Sequence, residues 1–170
     1  MPSTIAQLFI SYMIRILLDE IGDSHHDIFL KVDAIPSFVQ VADTHFLGAF
    51  LSEDFETKSA VTLAYLNYFL DKIQGLEHDT DFIPFDLSDQ YVGGLFVSTK
   101  PKGLVKVEYA WTDQISGWEI TRASTALRVN ENQEGFKLDR DWLLPKEALV
   151  AGLVWSINRM KKTCDQDQVT

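Results

Sequence analysis

The sequence holds a single cysteine, Cys164, in the polar stretch KKTCDQDQVT. One cysteine closes no internal disulfide, which excludes a disulfide-stapled secreted scaffold and fits a cytoplasmic home. Long apolar runs are also missing. No stretch of about 18 consecutive apolar residues occurs, so no membrane-spanning helix is expected. Met1 to Ile21 does not read as a signal peptide, because its apolar residues are periodic, Arg15 interrupts them, and Asp19 and Glu20 follow. Positive charge is scarce: 15 Lys and Arg face 25 Asp and Glu, a formal net charge of −10. Nucleic acid binding relies on Lys and Arg to displace counterions, and anionic lipid attracts the same residues, so both are unfavourable partners. A basic protein would instead be steered toward this chain, although the same charge also serves solubility.

Several signatures of chemistry are absent as well. There is no GxGxxG or GxxxxGK[ST] phosphate loop, no GxSxG elbow, no HExxH and no spaced Cys/His set. No cofactor, no metal and no enzymatic activity are therefore expected.

What is present is ordinary globular material, with 46% hydrophobic and 24% charged residues. At 170 residues the chain suits one domain, placed here at 1–162 with a polar tail at 163–170. Ile5, Leu8, Phe9, Tyr12, Met13, Ile16 and Leu17 recur at helical spacing after Ser3 and stop at Gly22. Ser37 and Gln40 have capping-box spacing, and the stripe from Phe38 to Phe50 reads as a second helix, with Val39 and Val41 leaving a strand open for the first few residues. Thr57 to Gln74, ended by Gly75, is the third and most apolar helical segment. β-type runs follow at Tyr91–Ser98, Leu104–Trp111, Trp118–Arg122 and Ala126–Val129, and Phe136–Leu138 can return as a short strand. Pro145 stands where a last helix would begin. Segregated helices and strands predict an α+β fold: an antiparallel β-meander of about four to five strands packed against N-terminal helices and a C-terminal helix.

Few residue groups invite a functional reading. His25, His26 and Asp27 are adjacent and of metal-ligating type, though neighbours in a turn do not converge on one ion unaided. Asp139 and Asp141 flank Arg140 ahead of the last helix, as a salt-linked loop whose acids suit a helix N-terminus. Gly93 and Gly94 lie inside a strand, where glycine weakens pairing and marks a bulge or a close approach. Either an internal side chain such as Tyr65 or Phe69 fills that space, or the strand lies at an edge and a partner's strand pairs there.

Size, charge and the stretch YVGGLFVSTKPKGLVKVEYAWTDQISGWEI resemble the bacterial immunity proteins that protect a cell from its own or a neighbour's toxin, including those of contact-dependent inhibition systems. The resemblance implies a cytoplasmic chain that binds and neutralises a cognate protein toxin, such as a basic nuclease. On this reading Glu108, Asp113 and Glu119, with Tyr91, Trp111 and Trp118, form part of the toxin-facing surface, and Gly93 and Gly94 let a partner backbone come close. Two other readings stand beside it: a metal-dependent or acid/base enzyme using His25, His26 and Asp27, and a homo-oligomeric structural protein in which a copy of the chain buries the exposed strand.

Overall fold

The computed structural model describes residues 14–19, 26–32, 35–77 and 79–167, with the side chains of 35–38 left aside. Three strands come first: β1 (Ile14–Leu18), β2 (Ile28–Val32) and β3 (Ile35–Ala42), forming an antiparallel sheet in that order. Helices α1 (Thr44–Leu51) and α2 (Lys58–Gln74) follow. Then come β4 (Thr80–Leu87), β5 (Val92–Lys100) and β6 (Leu104–Thr112), the short helix α3 (Thr125–Glu131), β7 (Lys137–Pro145) and helix α4 (Lys146–Asp167). Strands β4 to β7 make a second antiparallel sheet in sequence order. The fold is α+β with a four-stranded meander and a C-terminal helix.

The expected first helix is corrected where the structure describes it. Ile14–Leu18 is strand β1, while the stretch before it and Gly22 lie outside the described residues. Ile14 and Ile16 are buried and pair across to Val32 and Leu30, so the spacing that fits a helix also has the period of a strand. The Ile16 amide donates to Ser156 Oγ on α4 at 3.1 Å, which binds this strand to the last helix. The second expected helix is corrected in part. Its first residues form β3, as Val39 and Val41 allow, and helix begins only after Asp43, whose side chain accepts the His45 amide at 2.8 Å. The third helix stands as read, with Thr57 Oγ1 accepting the Ala60 amide at 3.1 Å.

Further corrections fall in the second half. Trp118–Arg122 is not a strand: Ser116 and Glu119 cap one another and wind Gly117–Glu119 into a 3-10 turn. Ala126–Val129 lies within α3. β4 was not foreseen, because Pro84 sits inside it. Proline is tolerated there because β4 is a margin strand with a bulge at Phe85, and the Pro84 carbonyl accepts Tyr65 Oη from α2 at 2.7 Å. The short strand expected at Phe136 extends to nine residues, so Asp139–Asp141 is strand and not loop, and Pro145 ends β7 instead of opening α4. The polar tail is also helical as far as Asp167, with Thr163 buried and Ser59 Oγ donating to the Asp167 carboxylate.

One apolar cluster joins all of this. It includes Ile16 and Leu30 from the first sheet, Leu95, Val107 and Leu144 from the second, and Leu66, Phe69, Leu153 and Ile157 from α2 and α4.

Candidate functional site

The two glycines lie in the interior of the second sheet. Gly93 faces Asp86 on β4 and Trp111 on β6; Gly94 faces Pro84 and Ala110. No strand can add to β5, so the external account of these glycines is corrected and the internal one holds. The fillers are not Tyr65 or Phe69. A methyl group at Gly93 would lie 2.6 Å from Tyr109 Oη, and one at Gly94 would lie 2.7 Å from Phe82 Cζ.

Around Gly93 a polar cluster forms. Asp86 accepts the hydroxyl of Tyr91 at 3.0 Å and that of Tyr109 at 3.4 Å. Burial raises the Asp86 carboxyl above its ordinary 3.8, against the lowering by both tyrosine hydrogen bonds and by the charge of His26. Burial, with the Asp86 charge, pushes Tyr91 up to about 12 and Tyr109 higher still.

The other predicted residues divide among separate contacts. Lys137 lies over the Trp111 ring at 4.5 Å from its centroid and is 3.4 Å from Asp113. Glu108 takes Lys106 at 2.6 Å. Glu119 holds its cap, accepting the Ser116 amide at 2.9 Å. Trp118 is 50% exposed and packs on Phe46 and His45 of α1, with ring centroids 4.5 and 5.5 Å away, while its indole N–H donates to Asp89.

Trp118 therefore stands beside something that composition alone did not locate. His45 also lines an open cleft of about 830 Å³ between α1, the 52–57 loop and the start of α2. Ser52 ends α1 in a left-handed conformation (φ 58°), Thr57 caps α2, and half-buried Phe55 anchors the loop between them. The loop's carboxylates are thereby turned outward. Asp27, Glu53, Asp54 and Glu56 line the cleft against one cation, Lys58. Lys58 is paired with Asp27 at 3.0 Å and Glu53 with Arg122. Among the described residues Asp54 and Glu56 make no ion pair.

Asp27 itself has a structural task. It is 1% exposed and accepts the Thr44 amide at 2.9 Å and the Thr44 hydroxyl at 2.8 Å, besides Lys58. His26 is exposed and His25 lies outside the described residues. Among the described residues no group of His, Cys, Asp and Glu is arranged to hold a metal. Cys164 is half-buried on α4. No described helix is long and apolar enough to cross a membrane.

Compared with protein families, with curated proteins and with solved structures, the chain has no match.

The sequence pointed to Trp118 but not to the residues beside it. Ser52 to Phe55 reads in the sequence only as an acidic break, and only the tertiary fold brings His45, which lines the cleft with it, against a tryptophan more than 60 residues farther along the chain.

Proposed function

We propose that this chain is a non-catalytic binding protein for a basic protein, which it neutralises by covering a positively charged surface, as an immunity protein covers a toxin. The observation that carries the proposal is the acidic cleft with the exposed Trp118 packed on His45, one of its lining residues. Asp54 and Glu56 offer charge to a lysine or arginine, and Trp118, set on Phe46 and His45, offers a large anchor with one polar end. The carboxylates steer the encounter and the ring holds the complex. A basic nuclease suits this chemistry, because its cleft is shaped to attract phosphate.

Affinity capture from the native host, followed by titration of the captured protein, tests the reading. The expected partner is basic. Its association slows between low and moderate salt and with Asp54→Lys/Glu56→Lys, and Trp118→Ala speeds its dissociation, costing about 2 kcal/mol or more. Binding that ignores both salt and these variants would reject the proposal.

A further inference from the structure

β7 forms one margin of the four-stranded sheet. It pairs with β6 from Leu104↔Pro145 to Trp111↔Lys137, and among the described residues no strand pairs along its other side. Residues 137–141 and 143 are exposed, and Leu138 and Leu143 reach 57% and 51%. A margin strand offers its backbone to another chain unless charge or a bulge blunts it. β7 has both devices: the register shifts at Asp139, and Arg140 and Asp141 follow.

These devices act against a second copy of this chain that pairs through the charged centre of the strand. A two-fold axis between antiparallel strands places one residue opposite its own copy. Centring on Asp139, Arg140 or Asp141 sets like charges face to face, which is destabilising.

A different partner meets complementary chemistry. Asp141 lies directly opposite Glu108, and Lys106 Nζ serves both, at 3.4 and 2.6 Å. One ammonium between two carboxylates leaves negative charge on this face. Two residues along the same face stands Leu143. In the other direction along that face Leu138, opposite Ala110, borders a hollow of about 590 Å³, floored by the rings of Phe82, Phe96 and Phe136, whose centroids are 4.7 to 5.2 Å apart.

We propose that β7 takes up an extended segment of a basic protein as a fifth strand, with a lysine or arginine opposite Asp141 and an apolar residue opposite Leu143. Main-chain pairing supplies affinity, and alternate side chains supply selectivity. The proposal shares the basic partner of the preceding reading but makes no use of the acidic cleft.

Random peptides displayed on phage, selected against the whole chain and then titrated singly, test it. The enriched peptides should carry Lys or Arg two residues from a large apolar residue. Asp141→Lys should weaken them at least about tenfold, and exchanging the peptide's basic residue for Glu should restore binding to that variant. Amides of β7 should gain protection from hydrogen exchange when peptide binds. Asp54→Lys/Glu56→Lys should leave peptide affinity unchanged. Affinity lost in the cleft variant but kept in Asp141→Lys would overturn strand addition and leave the cleft reading standing. Failure to enrich any peptide, or slow exchange in the isolated chain of the β7 amides that do not bond to β6, would overturn it too.

Discussion

Gly94 has no room for even one carbon. A methyl group there meets the Ile83 carbonyl oxygen and Phe82 Cζ, and the first of these is backbone on a paired strand. Gly94→Ala should therefore destabilise the fold by about 1–3 kcal/mol in urea unfolding, as overpacking does. A neutral result would mean that β4 and β5 yield more easily than their pairing implies. One neighbour away, Asp86 links the fold to pH. Its carboxyl is raised above 3.8 by burial. From about pH 4 up to that raised value the native chain binds more protons than the unfolded one, so stability falls as pH rises through the window. Asp86→Asn removes this dependence. Its stability relative to the parent should climb through the window and level off above it, and a difference that stays constant with pH would contradict the assignment. The glycine pair was visible in the sequence as an anomaly. Its cause was not, because Tyr109 and Phe82 reach it from the flanking strands β6 and β4.

Elements begin and end here at short polar residues, and Asp27 serves two helices together. It sits one residue before β2, accepts both Thr44 donors at the start of α1, and takes Lys58 from the start of α2. The hydrogen bonds are buried, whereas Lys58 is about half exposed and screened by solvent. Asp27→Ala, which leaves the Thr44 donors without their acceptor, should cost about 1–3 kcal/mol, and Lys58→Met less than about 1 kcal/mol. Equal losses in thermal unfolding would show that the ion pair, not the helix start, dominates. The same elements show how far local reading goes. Thr57 to Gly75 was legible because its run of apolar residues and its stop agree, and the structure adds the cap at Thr57. β1 and α3 were misread and β3 stays open between helix and strand in the sequence, because runs of five to eight residues fit both periods, and neighbours then decide between them.

At the scale of the molecule, composition set limits that need no coordinates. A net charge of −10, one cysteine and the lack of a nucleotide or nucleophile motif follow from counting residues. The long helix ahead of the meander and the helix after it also follow from the sequence, because period and turn chemistry are local properties, whereas the three-stranded sheet that comes first does not. Which strand ends at a margin is not local. β5, with its two glycines, is flanked on both sides, while β7, whose Asp139–Asp141 stretch looked like a charged loop, lies at the sheet's edge. Nor does counting reveal that His45 lines a cleft with the 52–57 carboxylates and also carries Trp118, since contacts far apart in sequence arise only when α1 packs against the segment that bears the tryptophan. Sequence determines the charge that this chain carries and the kind of element each long segment becomes. Tertiary packing alone decides where that charge gathers and which backbone stays open, because both depend on which surfaces the apolar core covers.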